Sequence, residues 1–192
     1  MKEIEIKLKI EDSEALRKKA ESLGGKFLPE KSGFEHDVMF EKEGGNFFHD
    51  YKVLRLRKTT HENLLTYKER LDEPEDSNLL RRLELQTTFR DFETMQKILE
   101  KLGYHPYVIK EKEANVYELD GLHVEFHKMP FLGDFVEIEG DEPKLKQIVE
   151  KLGLDFKQGI NNDYTHLFFN FCDEHGIDRS TSQTFDEERK FL

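Results

Sequence analysis

The segment from residue 2 to residue 10 alternates charged and aliphatic side chains without interruption, and it reads KEIEIKLKI. A period of two residues is that of a β-strand, in which neighbouring side chains point to opposite faces. One face of this strand therefore carries isoleucine and leucine, and the other carries Glu3, Glu5, Lys7 and Lys9. Carboxylates beside amines can hold a divalent cation next to a polyanion, although a strand with one solvated face produces the same pattern.

Later strand-like runs repeat this division into an apolar face and an ionised face. The ionised faces carry Arg55 and Arg57, Lys68 and Arg70, Arg82 and Glu84, His123, Glu125 and His127, and Glu137 and Glu139. Short polar side chains are scarce on these faces, whereas the solvated face of an ordinary sheet usually mixes them with lysine. The whole set therefore favours ionised faces that converge on one another.

Segments with helical periodicity separate these runs, at about residues 12–24, 91–103 and 141–153. Each begins near an acidic residue and ends at a glycine, which are ordinary start and stop signals for a helix. A further helix is predicted after Asp163. Strand-like runs lie between the helices, at residues 53–58, 63–70, 80–87, 116–119, 122–127 and 135–139. This order predicts an α+β fold with an antiparallel sheet.

Two arrangements fit the charged faces. The sheet can be half-solvated, or it can close into a barrel with the ionised faces inward and the apolar faces outward under the helices. Charges inside such a barrel must pair with one another or meet ions and ligand. Arginine suits phosphate oxygens, and clustered glutamates suit Mg²⁺ or Mn²⁺. The second arrangement predicts a tunnel that holds a metal-bound polyphosphate.

The charge of the chain limits its partners. Lys and Arg number 30 and Asp and Glu 41, so the formal net charge is -11, which argues against general nucleic-acid binding. The single cysteine, Cys172, excludes a disulfide framework. No signal-peptide-like or bilayer-spanning run occurs in the sequence. We expect a cytoplasmic protein without a membrane partner, as a monomer or homodimer.

The ordered motifs resemble those of the CYTH superfamily, the triphosphate tunnel metalloenzymes, over roughly residues 1–170. The stretch Glu3-Ile4-Glu5-Ile6-Lys7 is similar to the family's Glu-x-Glu-x-Lys signature, and the later motifs are LRLR at residues 54–57, TYK at 66–68, RLE at 82–84 and GDFVEIE at 133–139. HDVMF at residues 36–40 resembles the short strand of the family after its first helix. The resemblance implies an eight-stranded antiparallel β-barrel with helices outside, which binds a triphosphate with Mg²⁺ or Mn²⁺.

The resemblance also implies roles for individual residues. The predicted metal ligands are Glu3, Glu5, Glu137 and Glu139. The predicted triphosphate ligands are Lys7, Lys9, Arg55, Arg57, Lys68, Arg82 and Lys112, of which Lys9 has less support. Among all of these, the residues expected to serve catalysis are Lys7, Glu5 and Arg57.

Two positions depart from the family pattern. Before the strand at residue 116, where the family often has a lysine and an arginine, the chain reads KEKEA, so Lys112 is expected to serve alone and Ala114 stands in place of arginine. Where the family often has an aspartate before its last glutamate pair, this chain has His127, which becomes a candidate metal ligand. An alignment shifted by two residues offers Glu125 instead.

Three functions remain open, in this order. The first is a class IV-type adenylyl cyclase that converts ATP to cyclic AMP and pyrophosphate. The second is a triphosphatase that acts on inorganic triphosphate, thiamine triphosphate or a nucleotide. The third is a nucleotide or polyphosphate binder without activity. We also expect one domain over residues 1–175, a loosely held polar tail over residues 176–192, and a mobile acidic hairpin tip at residues 72–78.

Overall fold

A computed structural model describes residues 2–71 and 77–191 of the chain. Most of the predicted hairpin tip lies outside these residues. The described part forms nine strands: β1 Lys2–Ile10, β2 Lys26–Phe27, β3 Gly33–Lys42, β4 Lys52–Thr59, β5 Asn63–Arg70, β6 Leu80–Phe89, β7 Tyr104–Leu119, β8 Leu122–Met129 and β9 Gly133–Glu139. It also forms five α-helices: α1 Ser13–Ser22, α2 Phe92–Lys101, α3 Glu142–Lys151, α4 Tyr164–His175 and α5 Phe185–Phe191.

Eight of these strands close into an antiparallel barrel. Their order is β7-β3-β4-β5-β6-β1-β9-β8, and β8 pairs back onto β7; the short β2 pairs with β7 beside the ring. In β1, Glu3 pairs with Arg82 of β6, and Lys7 pairs with Glu137 of β9. The predicted barrel is confirmed. Closure removes the exposed edges that an open sheet of this size would present.

The hydrophobic core lies between the barrel and its helices. Ile6 and Leu8 of β1 are buried in one cluster with Leu145 and Ile148 of α3, while Glu3, Glu5 and Lys7 point to the barrel interior. A second cluster joins α2 to β3 and β4, and a third surrounds α4. The prediction that the apolar faces point outward is therefore confirmed for β1. This cover is incomplete, because Leu85 on β6 is exposed.

Side-chain caps set the starts of three helices. Asp12 accepts a hydrogen bond from Ala15 N at 2.8 Å, Asp91 from Thr94 N at 2.6 Å, and Asp163 from His166 N at 3.0 Å. These carboxylates satisfy amides that have no partner within the helix. The cap at Asp163 also places the first turn of α4 against one end of the barrel.

Two segments differ from the sequence-based expectation. Strand β7 is 16 residues long, whereas the pattern predicted only its last four residues, because charged residues and Pro106 obscure its first half. The polar segment after residue 176 contacts the barrel instead of hanging loosely from it. The main chain of Gln183 pairs with Ile109 and Glu111 of β7, and this glutamine is fully buried. Among the described residues, no helix is long and apolar enough to cross a lipid bilayer.

Candidate functional site

A cavity of about 430 Å³ occupies the inside of the barrel. One end is lined by residues 30–35 and by the turn between β4 and β5, where His61 and Glu62 lie. The other end is lined by Asp163, Tyr164 and Thr165 at the start of α4. Ionised side chains from the strands line the wall between these ends. The cavity therefore has the charged lining that the alternating strands predict.

Lys7 lies between two carboxylates at the α4 end of the cavity. Its Nζ is 3.1 Å from Glu137 Oε1 and 3.6 Å from Glu5 Oε1, and it donates to the carbonyl oxygen of Asn162 at 3.1 Å. The same ammonium lies 4.4 Å from the ring centroid of Tyr164. Burial raises the pKa of Glu5. Burial opposes ionisation of Glu137 as well, but Lys7 and further cationic side chains around it together outweigh this effect and hold the pKa of Glu137 well below its usual range.

A second group joins β1, β5 and β6. Lys68 donates to both carboxylate oxygens of Glu3 at 2.8 and 2.9 Å, and it lies 3.3 Å from Glu84. Arg82 bridges Glu3 at 3.1 Å and Glu5 at 2.8 Å. Burial alone would raise the pKa of Glu3, but Lys68 and Arg82 lower it. Predicted phosphate ligands and predicted metal ligands therefore neutralise one another here.

A third group joins β3, β4 and β7. Arg57 makes a bidentate contact with Asp37 at 2.7 and 2.9 Å and also reaches Glu35 at 2.6 Å. Arg55 lies 3.6 Å from Asp37, and Lys112 lies 3.3 Å from Glu35. Burial opposes ionisation of Asp37, but the two guanidinium groups keep its pKa far below the usual range. The bidentate pair fixes the guanidinium plane of Arg57.

Lys110 of β7 is a cavity residue that the sequence analysis did not assign. Burial lowers the pKa of its ammonium to about 7, although the nearby carboxylate of Asp37 partly opposes this shift. Its Nζ lies 5.7 Å from the ring centroid of Tyr164. Lys110 shares the inward parity of Lys112, so strand alternation would have found it had β7 been recognised at full length.

His127 is buried in the wall near the α4 end. Its Nε2 lies 2.8 Å from Lys112 Nζ and 3.0 Å from Glu125 Oε2, and its Nδ1 lies 3.0 Å from the Tyr164 hydroxyl and 3.5 Å from Glu137 Oε2. Ligand atoms of His127, Glu125 and Glu137 all lie within 4.8 Å of one another. The two alignments considered for this strand thus both identify residues of the same group.

Glu125 also belongs to a second group with His123 and Glu139, nearer the other end of the cavity. Burial and the neighbouring carboxylate of Glu3 raise the pKa of Glu139 to about 7. Lys31 Nζ approaches His123 Nε2 at 2.9 Å. Carboxylates and imidazoles from β8 and β9 therefore follow one wall of the cavity.

The structure brings most of the predicted site residues together. The cavity is lined by Glu3, Glu5, Lys7, Arg55, Arg57, Lys68, Arg82, Lys112, Glu137 and Glu139. His127 lies directly behind this lining. The prediction for Lys9 is wrong, because Lys9 is exposed and does not line the cavity. Strand β1 pairs with β6 only over residues 2–5, so Lys9 lies beyond that part of the wall.

Other cavity residues were not assigned a role from the sequence. Among them are Glu35, Lys110, Asp163 and Tyr164. Asp163 and Tyr164 were predicted only as the start of a helix, and no local pattern indicates that this helix meets the end of a barrel. Glu35 lies one residue before the motif at residues 36–40. The only sequence feature that indicates a cavity position for it is strand alternation, which places its side chain on the inward face.

The donor set fits a hard or borderline divalent cation. It consists of carboxylates and an imidazole, which are the ligands of Mg²⁺, Mn²⁺ and related ions. Glu5 Oε1 is buried and accepts no hydrogen bond from the described residues. An unsatisfied buried carboxylate oxygen that faces a polar cavity is suited to accept a cation.

The family model of the CYTH domain matches residues 1–162. The chain belongs to the CYTH domain family. A protein of Methanocaldococcus jannaschii with the name "Putative adenylate cyclase" is 29% identical over 140 residues, which are 72% of this chain and 77% of that protein. CYTH membership agrees with the barrel and with the order of the motifs.

Solved structures share the fold. The PH1012 protein of Pyrococcus horikoshii superposes with a TM-score of 0.71 at 27% identity, covering 84% of this chain and 96% of that one. A Hippeastrum protein described as having a dominant triphosphatase activity superposes with a TM-score of 0.63 at 19% identity, covering 88% and 95%. At that identity, the second comparison shows the fold alone.

Proposed function

We propose that this protein is a metal-dependent enzyme that hydrolyses a triphosphate inside the barrel. The observation that carries the proposal is the density of paired charges in one cavity of about 430 Å³ inside the barrel. Its described lining includes the cationic residues Lys7, Lys31, Arg55, Arg57, Lys68, Arg82, Lys110 and Lys112. Apart from Lys31, which is exposed, these cations are largely removed from water, which is tolerable only because carboxylates balance them, and a polyphosphate can take over that role.

The residues proposed to bind phosphate and those proposed to hold the cation lie on different sides of the cavity. Arg55 and Arg57 lie on one side, and their planar guanidinium groups suit phosphate oxygens. Lys7 lies on the other side, next to Glu5 and Glu137, which are suited to hold the cation. A divalent cation there would polarise phosphoryl oxygens and lower the pKa of a bound water. The arrangement thus combines charge stabilisation with positioning, which is most of what phosphoryl transfer requires.

The proposed reaction is an in-line displacement at the terminal phosphorus. A water oxygen forms the new bond to phosphorus, the bond to the bridging oxygen breaks, and orthophosphate and a diphosphate product leave. The water proton passes to Glu5, because burial raises the pKa of this carboxyl whereas the pKa of Glu137 is held well below its usual range. The lysines and arginines stabilise the negative charge that develops on the departing bridging oxygen.

Adenylyl cyclase is the second candidate, and the name of the M. jannaschii relative favours it. Cyclisation requires the same triphosphate site, with the ribose hydroxyl instead of water as the attacking group. It also requires surfaces for ribose and base. In the described lining, the apolar side chains besides Tyr164 are Phe34, Met39, Val53 and Leu64, so the cavity is built mainly for charge.

Product analysis distinguishes the candidates. Purified protein is incubated with tripolyphosphate, thiamine triphosphate or ATP and either Mg²⁺ or Mn²⁺, and products are separated by anion exchange and phosphorus NMR. Release of orthophosphate is the expected result. Cyclic AMP and pyrophosphate from ATP, without orthophosphate, would establish the cyclase instead, and no turnover of any triphosphate would overturn both.

The chain supplies matched variants for this assay. Lys7→Met should reduce kcat/KM at least about 100-fold, because charge-stabilising groups in such sites contribute that much. Lys9→Met should leave it unchanged, because Lys9 is exposed on the same strand two residues away. Glu5→Gln and the exposed Glu11→Gln form a second pair. Equal activity of Lys7→Met and Lys9→Met would contradict the proposed site.

A further inference from the structure

The wall of the barrel has a gap beside strand β7. Along one edge β7 pairs with β3 from Tyr104 to Ala114, but along the other edge it pairs with β8 only from Glu113 to Leu119. The described strands of the ring therefore leave the second edge of β7 uncovered before Glu113. Backbone N–H and C=O groups on a buried edge need other partners, because an unpaired polar group away from water is costly.

Gln183 of the C-terminal segment fills this gap. Its main-chain N–H donates to the carbonyl oxygen of Ile109 at 2.9 Å, and its own carbonyl oxygen accepts from Glu111 N at 2.9 Å. Its side-chain Nε2 donates to the carbonyl oxygen of Pro130, the residue that follows β8, at 3.1 Å. One residue thus connects β7 to the end of β8 at the point where these two strands are no longer paired.

Burial and a second anchor hold Gln183 in this place. The residue is fully buried, and a buried glutamine is costly without hydrogen bonds, so those to β7 and Pro130 specify its position. Helix α5 follows directly and is fixed to the turn between β8 and β9. There Glu188 Oε1 accepts from Phe131 N at 2.6 Å, and the ring centroids of Phe131 and Phe191 lie 5.9 Å apart. The segment is therefore part of the barrel wall.

Lys110 lies between the two main-chain groups that Gln183 binds. Its neighbours Ile109 and Glu111 supply those groups, and the side chain of Lys110 lines the cavity. On the other edge of β7, the strand register pairs Lys110 with Asp37 of β3. The main chain around Lys110 is therefore bonded on both edges, which fixes the direction of its side chain, because a strand sets the direction of each Cα–Cβ bond.

The surroundings of the Lys110 ammonium depend on this closed edge. Burial lowers the pKa of Lys110 to about 7. The titratable and charged groups that face it from the other packed elements are Asp37 of β3, Arg55 and Arg57 of β4, and Asp163 and Tyr164 of α4. Loss of Gln183 would open one edge of β7 to water without removing any of these groups. Hydration of the ammonium should then raise the pKa of Lys110.

We propose that Gln183 is a positioning residue of the triphosphate site, which completes the barrel wall and holds Lys110 toward the bound phosphates. Gln183 is not one of the described residues that line the cavity, so it acts through Lys110. The match of the CYTH family model ends at residue 162, so this residue belongs to a segment outside that match. The inference deepens the proposed function and rests on it for the identity of the ligand.

An NMR titration of the full chain with isotope-labelled lysine side chains tests the link to Lys110 without any triphosphate. The resonance that titrates near pH 7 is assigned by its loss in Lys110→Met. In Gln183→Pro, which has no N–H to donate to Ile109, this titration should move up by at least about one pH unit. Ser180→Pro, which removes an exposed hydrogen bond to Asp178 in the same segment, should leave it unchanged.

A weaker variant keeps the titration decisive. If Gln183→Pro does not fold, Gln183→Ala should show a smaller shift in the same direction, because the alanine loses the contact with Pro130 and leaves space for water. An unchanged titration in whichever of the two folds would overturn the proposal. A wild-type chain in which Lys110 titrates like an exposed lysine would overturn it as well.

Kinetics with tripolyphosphate test the role of Gln183 in the site. Gln183→Pro should raise KM about tenfold and change kcat less, because it weakens a hydrogen bond from a charged donor to the substrate. Lys110→Met should raise KM by a similar factor. The double variant should be no worse than Lys110→Met alone, since both changes act through one side chain. Additive effects of the two changes would contradict the positioning role.

The two proposals can fail separately. Turnover of tripolyphosphate by the wild type, together with an unshifted Lys110 titration in Gln183→Pro, would refute the positioning role and leave the proposed hydrolysis intact. A shifted titration without turnover of any triphosphate would refute the hydrolysis and keep the dependence of Lys110 on Gln183.

Discussion

The ammonium of Lys68 donates to both carboxylate oxygens of Glu3, at 2.8 and 2.9 Å, across the interior of the barrel. This pair joins a residue suited to phosphate with a residue suited to a metal ion. Each therefore has an internal partner that a ligand must replace. A cation at Glu3 would release Lys68, and a phosphate at Lys68 would release Glu3.

We predict positive coupling between metal and triphosphate binding for this reason. A metal–tripolyphosphate complex should bind at least about tenfold more tightly than metal-free tripolyphosphate, as calorimetry can measure. Glu3→Gln should weaken the coupling, because Lys68 then loses its two shortest carboxylate contacts and, among the described residues, keeps only the longer one to Glu84 at 3.3 Å. The exposed Glu11→Gln serves as the control. Equal affinities for the two forms in wild-type protein would contradict the coupling.

Asp37 should be a large contributor to stability. It is almost fully buried between Arg57 and Arg55. Its removal leaves two neighbouring guanidinium groups without the carboxylate that lies between them. Asp37→Ala should lower the free energy of unfolding by about 3–5 kcal/mol in urea titrations. Glu14→Ala, which removes an exposed helical ion pair with Lys18, should change it little. If the two variants lowered the free energy of unfolding by similar amounts, the buried ion pair of Asp37 would contribute no more to stability than the exposed pair of Glu14.

Lys110 should give the protein a stability that rises with pH. The folded chain releases this proton at about pH 7, whereas the unfolded chain keeps it to near the usual pKa of 10.5. Between these values the unfolded state binds more protons, so each step up in pH favours folding, by at most about 1.4 kcal/mol per pH unit. Below about pH 7 Lys110 is protonated in both the folded and the unfolded state, so the folded state bears the full cost of burying this charge.

Urea titrations of wild-type protein and Lys110→Met across that pH range isolate this effect. The difference in unfolding free energy should change in favour of the wild type as the pH increases. A difference that stays constant with pH would mean that Lys110 is charged in the folded protein throughout.

Gln183 should anchor the segment that follows α4. It is fully buried, and its side-chain Nε2 donates to the carbonyl oxygen of Pro130 at 3.1 Å. Gln183→Ala should lower the free energy of unfolding by about 1–3 kcal/mol, because it leaves that carbonyl without its donor. The exposed Ser180→Ala is the control. An unchanged unfolding midpoint for Gln183→Ala would indicate that the segment is as loosely held as its composition suggests.

Local patterns in the chain were enough to identify most of the barrel. Alternation in β1, β4, β5, β6, β8 and β9 placed their charged side chains on one face, because strand geometry has a period of two. The helix starts at Asp12 and Asp91 were also readable, since a cap acts within one turn. The same alternation found the cavity residues from Glu3 to Glu139, but it also suggested Lys9, because a repeating pattern does not show where a neighbouring strand ends.

Tertiary structure alone decided the features that depend on distant parts of the chain. Which lysine pairs with which glutamate follows from barrel register, so the contact between Lys68 and Glu3 could not be read from either motif. The first turn of α4 brings Tyr164 to His127, 37 residues away in sequence. The sequence by itself determined which residues share a charged face and which residue types each face carries. Only closure of the barrel decided their partners, because pairing between remote strands is set by the whole ring and not by any local segment.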